Sequence, residues 1–260
     1  MTFEVCFGTD GLLELRPSSP LKHQTPKTSR SSLRWLAYMA SRLLLKLILA
    51  LVARTHCLHR ERTRLPGGWI LAANHISHFD PPFLGVACLR KMDWMTSREF
   101  YAVPVLGPWM RAVDTFSVDR ERPDRAAIRT ALERLAAGRV VGLFPEGGIR
   151  DGERSMLQGA ALRPGLSALA EMSGAPVIPC VILGSDQLYA PAKWLPFRRS
   201  QAWISFGEPL RFSGKGRPGR DDFEAAYNAA IQTLLAELRA RFHLTSEDLP
   251  QSSDRRKGRT

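Results

Sequence analysis

The sequence predicts an α/β domain: a single domain with a mixed, largely parallel central sheet flanked by helices. Three observations carry that expectation. From Gly67 onward, short apolar runs of strand length alternate with longer stretches of helical periodicity. Two of those stretches stop at Gly138 and at Ser173-Gly174, residues suited to the left-handed backbone that closes a helix. A chain of 260 residues with 44% hydrophobic content can bury one substantial core without a second domain. Strands that alternate with helices favour parallel pairing with the helices covering the sheet.

In order, the strands are expected at 69–73, 93–96, 115–118, 140–144, 177–183 and 202–206. Pro179 inside the fifth run marks it as an irregular or edge strand. Between them, 124–137 repeats Ile128, Leu132 and Leu135 at helical spacing, and 162–172 forms a second helix. A third helix, 222–242, puts Phe223, Tyr227, Ile231, Leu234 and Leu238 on one face, after a flexible glycine-rich loop at 213–219.

Ahead of this domain lies 33–54, helix-forming and strongly apolar. Arg34, Tyr38, Arg42, Lys46 and Arg54 fall on one ridge of it, and Trp35, Leu36, Leu43, Leu44, Leu47, Ile48, Leu51 and Val52 cover the rest. The longest unbroken apolar run, 47–53, falls short of the roughly 20 residues of a spanning helix. A basic ridge on an apolar helix suits a position in the membrane interface, with Arg60, Arg62 and Arg64 strengthening the pull toward anionic lipid. A core helix with a solvated stripe, and a tilted span with snorkelling cations, remain open. The chain thus divides into a disordered lead-in at 1–32, a membrane-associating basic amphipathic helix and linker at 33–64, the α/β domain at 65–243 and a disordered tail at 244–260.

A net charge of +12 favours an anionic partner: nucleic acid, a phospholipid surface or a phosphorylated small molecule. No basic patch interleaved with aromatics and no known module argues for nucleic acid. Cys6, Cys57, Cys88 and Cys180 are scattered, as in a reducing compartment. Glu4, Asp10 and Glu14 break up any secretory signal, so the body is expected on the cytoplasmic face of the membrane.

Chemistry concentrates in two segments. The first is Asn74-His75-Ile76-Ser77-His78-Phe79-Asp80, between the strand at 69–73 and Pro81-Pro82. On a helix, His75 and Asp80 would point about 140° apart, but at a strand end followed by a tight turn they can meet. Asp80 also suits the N-cap of a helix that begins at Pro81, a role compatible with orienting the imidazole. A His–Asp pair without a serine nucleophile can run acyl transfer when the substrate supplies the hydroxyl: His75 takes the proton and Asp80 stabilises the imidazolium. His75 and His78 find no third ligand at convincing spacing, so no metal is expected. The second segment, Phe144-Pro145-Glu146-Gly147-Gly148-Ile149-Arg150, follows the strand at 140–144. Consecutive glycines allow an anion-binding nest, although a plain glycine-rich turn reads the same. Glu146 could accept from a substrate hydroxyl and Arg150 could pair with a phosphate.

With Thr115-Phe116-Ser117-Val118-Asp119-Arg120 and Val177-Ile178-Pro179-Cys180-Val181, these segments resemble, in order, the motif series of the glycerolipid acyltransferase family, over about 67–206. The resemblance implies transfer of an acyl chain from acyl-CoA or acyl-carrier protein to the free hydroxyl of a lysophospholipid, foremost 1-acylglycerol-3-phosphate, giving phosphatidate without cofactor or metal. Other acceptors, such as a lyso-ornithine lipid, and a non-catalytic anionic-lipid binder are the alternatives. By resemblance, His75 and Asp80 are the catalytic pair, Arg120 holds the acceptor phosphate, and Glu146, Gly147 and Gly148 shape the acceptor site with Arg150. Arg98 looks like the basic residue before a similar acidic–aromatic stretch, and reads equally as a solvated charge. Two departures stand out. Gly148-Ile149 set Arg150 one place late, and Asp114 occupies a position where the family usually has glycine.

Overall fold

The computed structural model describes residues 3–7, 13–17, 28–119, 124–194 and 200–250, with the backbone alone described for 3–7, 13–17 and 28–31. Two short strands, β1 (Phe3–Phe7) and β2 (Leu13–Pro17), form an antiparallel hairpin where a disordered lead-in was expected. The rest of that expectation, and the tail from 251, lie outside the described residues. Helix α1 (Thr28–Val52) starts five residues before the expected position and runs directly into β3 (Ala53–Leu58). The sheet then continues through β4 (Trp69–Ala73), α2 (Asp80–Ala87), β5 (Met92–Ser97), α3 (Leu106–Ala112) and β6 (Phe116–Val118). It is completed by α4 (Arg125–Ala136), β7 (Val140–Leu143), α5 (Gly165–Ser173), β8 (Val177–Leu183), β9 (Ser200–Phe206) and α6 (Gly216–Phe242).

The seven strands lie in the order β3-β9-β8-β4-β7-β5-β6. Every pairing is parallel except β8 with β9, so the sheet is mixed and largely parallel as expected. Strand β3 was read as linker, yet it pairs with β9 from Ala53↔Ser200 to Leu58↔Ser205. Strand β8 is interior despite Pro179. The carbonyl of Pro179 points to the β9 side, where it accepts from Gly207 N at 2.7 Å. Its missing N–H faces the same way, just past the end of β9, so the Pro179–Gly207 pair keeps one of its two ladder bonds.

Alternation along the strands splits the core into two layers. Ile70, Ala72, Val141, Val177 and Val181 pack under α4, α5 and α6. Trp69, Leu71, Ala73, Ile178 and Cys180 face α1 and α2 on the other side. Both faces of a parallel sheet are thereby dry, which is why these strands read as continuous apolar runs. Helix α6 begins at Gly216, inside the expected loop, because Pro218 sits in its first turn, where no N–H is needed. Helix α5 begins only after Pro164, since the residue before a proline avoids helix. Residues 244–250, assigned to the tail, fold back with Leu244 buried.

Helix α1 reverses one expectation. Arg34, Tyr38 and Arg42 of the expected polar ridge contact the protein, while Lys46 and Arg54 are exposed. Arg34 pairs with Asp114 at 3.1 Å, the Tyr38 hydroxyl accepts from Met92 N at 3.3 Å, and Arg42 donates to the carbonyls of Val86 and Cys88. Leu33, Trp35, Leu36, Leu43, Leu44, Leu47 and Leu51 are left exposed. Arg42 satisfies carbonyls at the end of α2 that α1 would otherwise bury. By length and composition, Ser32–Val52 could cross a membrane. Even so, contacts from Arg34 to Val52 hold that stretch along the body.

Candidate active site

Strand β4 ends at Ala73, and the chain turns sharply before α2. Asn74 fixes the turn: its side chain donates to Ile182 O (2.9 Å) and accepts from Ile182 N (2.8 Å), standing in for a backbone pair on β8. The next residue, His75, is buried, and its Nδ1 lies 2.8 Å from Asp80 Oδ2. The same oxygen accepts the N–H groups of Ile76 (2.7 Å) and Ser77 (2.9 Å). Asp80 is therefore the first residue of α2 and not its N-cap; Phe79, with φ −85° and ψ −8°, already has helical backbone and precedes it. The carboxylate turns back onto the loop instead. Its Oδ1 accepts from the Ser185 hydroxyl, a buried partner that follows β8. An acceptor carboxylate at Nδ1 assigns the ring proton to that nitrogen and leaves Nε2 as a base.

Two aromatic rings set the plane of the imidazole. His75 stacks on Phe144 with centroids 4.0 Å apart and planes 12° apart, and Phe144 stacks on Trp94 at 5.1 Å and 9°. The loop after β7 is bound to the histidine loop through backbone as well. His75 N donates to Glu146 Oε2 at 2.6 Å, and Arg150 N donates to His75 O at 2.8 Å. The other oxygen of Glu146 accepts from Ser155 Oγ (2.9 Å) and Met156 N (2.8 Å). Burial pushes the Glu146 carboxyl up, against the pull of these donors and of His75. Both its oxygens are engaged by the protein, so Glu146 ties two loops together, whereas it was expected to meet a substrate hydroxyl.

Gly147 has φ +68°, and a Cβ there would fall 2.4 Å from Arg163 Cδ. Its N–H closes a turn on Phe144 O at 3.0 Å, so it does not point outward into an anion nest. Gly148 stands beside open space. Beyond His75 lies an apolar cavity of about 340 Å³ between α1, α2 and α3. Tyr38, Leu45, Trp94, Trp109, Met110 and Phe144 are among its walls, and His75 and His78 line it too. Among the described residues, no group of three or more His, Cys, Asp or Glu is placed to hold a metal.

Comparison with known proteins gives the family and the fold. A family model described as Acyltransferase matches residues 54–183, half of the chain. The chain belongs to the glycerolipid acyltransferase family. This acyltransferase is 28% identical over 195 residues to a 1-acyl-sn-glycerol-3-phosphate acyltransferase of Bacillus subtilis (strain 168), covering 75% of this chain and 92% of that one. It is 24% identical over 185 residues to the protein of the same name from Streptococcus pneumoniae, covering 70% and 62%. Its fold is that of the crystal structure of the 1-acyl-sn-glycerophosphate acyltransferase PlsC from Thermotoga maritima, with TM-score 0.60 and 20% identity over 80% and 84% of the two chains.

Of the remaining expected site residues of the acyltransferase, Arg98 and Arg150 are among the described residues. Arg120 lies outside the described residues. Arg98 is 67% exposed at its side chain and stands 3.7 Å from Asp124. Arg150 is half-buried and joins the site through its backbone. Asp114, where the family usually has glycine, has φ +66°. That left-handed backbone explains the usual glycine, and Asp is among the few other residues that tolerate it. Ser185, the Phe144–Trp94 stack and Arg163 were not anticipated, since none forms a spacing pattern with His75 in sequence.

Proposed function

We propose that this acyltransferase moves an acyl chain from a thioester donor, acyl-CoA or acyl-carrier protein, to the free hydroxyl of 1-acylglycerol-3-phosphate, giving phosphatidate. The observation that carries the reading is the oriented His75–Asp80 pair beside an apolar cavity of about 340 Å³, a size suited to a hydrocarbon chain. The acceptor is taken from the two relatives, both named for it.

In this mechanism the acyl chain lies in the cavity with its thioester carbonyl beside His75. The imidazole Nε2 removes the acceptor hydroxyl proton as the oxygen attacks that carbonyl. Asp80 stabilises the imidazolium through Nδ1–H. Collapse of the tetrahedral intermediate breaks the carbon–sulfur bond, and the imidazolium proton goes to the departing thiolate. No side chain carries the acyl group in this mechanism, and neither a cofactor nor a metal ion takes part in a step. The exposed apolar face of α1 suits the acyl region of a membrane, and α1 along the body, rather than across a bilayer, makes the attachment one-sided. The body then faces the cytoplasm, where such thioester donors are found.

The test is release of free thiol from acyl-CoA in the presence of lysophosphatidate. The wild-type protein releases thiol only when both substrates are present, and His75→Ala lowers the rate by at least about a hundredfold. Equal rates in the two proteins would refute the mechanism. Acylation of a lyso-ornithine lipid in place of lysophosphatidate would refute the acceptor alone.

A further inference from the structure

Val105 adopts a backbone that its side chain resists. With φ +68° and ψ −50°, and with Leu106 N donating to Pro104 O at 2.8 Å, it sits at the centre of the strained form of the γ-turn. A β-branched residue with positive φ is an outlier, and glycine would hold the same turn without cost. The side chain is also 83% exposed. Ala102, Val103 and Pro104 are exposed beside it, giving four apolar residues in succession at the surface. Their backbone carbonyls at 103–105 accept from Gly107, Leu106 and Trp109, while the side chains stand at the surface.

The surroundings name an occupant. Trp109 of α3, whose backbone N–H donates to Val105 O at 3.1 Å, is 39% exposed, and its indole Nε1 donates to Ser41 of α1 at 2.9 Å. Leu44, one turn along α1 from Ser41, is exposed. The apolar surface of α1 therefore continues across Trp109 to Val105. The cavity that His75 lines passes between these elements, with Ser41 and Leu45 on one side and Leu106, Trp109 and Met110 on the other. Arg111, exposed and held over the Tyr101 ring at 5.5 Å, and exposed Arg98, which also stands 3.7 Å from Asp124, bring cations near the patch. An apolar tip, an indole at its edge and nearby cations are the layers of a lipid interface: acyl chains, headgroup boundary and phosphates.

We propose that 102–105 and the outer face of α3 form a second membrane contact beside α1, placing Val105 among the acyl chains of an anionic phospholipid leaflet. Two contacts on either side of the cavity fix its orientation, so that an acyl chain passes between leaflet and cavity without crossing water. The proposal rests on the membrane reading of α1, and its readout involves no acyl transfer.

The experiment measures partition of the full chain onto vesicles of mixed phosphatidylcholine and phosphatidylglycerol, without substrate. Val105→Asp lowers partition by about tenfold or more, since burial of a valine side chain is worth at least that factor. Val105→Gly lowers partition as well, while its thermal midpoint stays level or rises because the turn is relieved. That pair of results separates lipid contact from a structural role and decides the matter if Val105→Asp fails to fold. Leu44→Asp probes α1 separately. Wild-type partition in a folded Val105→Asp or in Val105→Gly overturns the proposal, whatever Leu44→Asp does, and leaves the acyl-transfer reading untouched.

Discussion

The Ser185 hydroxyl donates to Asp80 Oδ1 across 105 positions of sequence, and it is the side-chain partner of the carboxylate oxygen that His75 does not use. Both residues are fully buried. Asp80 Oδ2 already accepts from the imidazole and two backbone amides, so the rotation of the carboxylate depends on what holds Oδ1.

Ser185→Ala is therefore expected to slow acyl transfer by roughly ten- to hundredfold through misplacement of the base. The loss falls on kcat and spares KM, because Ser185 lines neither the cavity nor its mouth. Ser185→Thr, which keeps the hydroxyl, restores most of the rate. Steady-state kinetics of the three proteins decide it; a change confined to KM would show that Ser185 acts elsewhere.

Gly142 supports the aromatic stack from behind. A Cβ at that position would lie 2.7 Å from Trp94 Cε3, so Gly142→Ala must push the indole toward the cavity that Trp94 helps to line. The expected cost is about 1–3 kcal/mol of stability from overpacking. The preferred acyl chain becomes shorter because the cavity narrows. Rates across a series of acyl-CoA lengths check this, and an unchanged length profile would refute it.

Asp114 gives a pH prediction. Burial alone would raise its carboxyl, but Lys91, with Arg139 and Arg34, outweighs burial and holds it below the ordinary value of 3.8. A carboxylate lowered in this way adds stability that is present above the ordinary value and is lost as pH falls through the lowered one. Asp114→Asn should be less stable than wild type near neutrality, and the difference should shrink as pH drops below 3.8. Thermal unfolding over a pH series measures it; a constant difference at all pH values would contradict the assignment.

The strands and the His75–Asp80 pair were legible because each depends on local pattern: apolar runs, glycine stops and a strand end followed by proline. What escaped depends on placement. The ridge of Arg34, Tyr38 and Arg42 looks the same on a helical wheel whether it meets lipid phosphate or the carbonyls of Val86 and Cys88. Strand β3 was absorbed into the preceding helix and linker because Ala53–Leu58 carries Arg54, Thr55 and His56, polar residues that edge pairing with β9 permits. Glu146 was assigned to substrate since a carboxylate after a strand suggests chemistry; that its oxygens are taken by His75 N, Ser155 and Met156 follows only from the folding of two distant loops.

The position of α1 has a practical consequence for anyone shortening the chain. Tyr38, Ser41, Arg42 and Leu45 form one side of the cavity beside His75. A fragment beginning at Ala53 would keep the whole seven-stranded sheet and the His75–Asp80 pair, yet the apolar cavity beside them would become an open trench in water. Such a fragment should stay folded only with detergent filling that trench, and should lose its discrimination among acyl chains before it loses its chemistry.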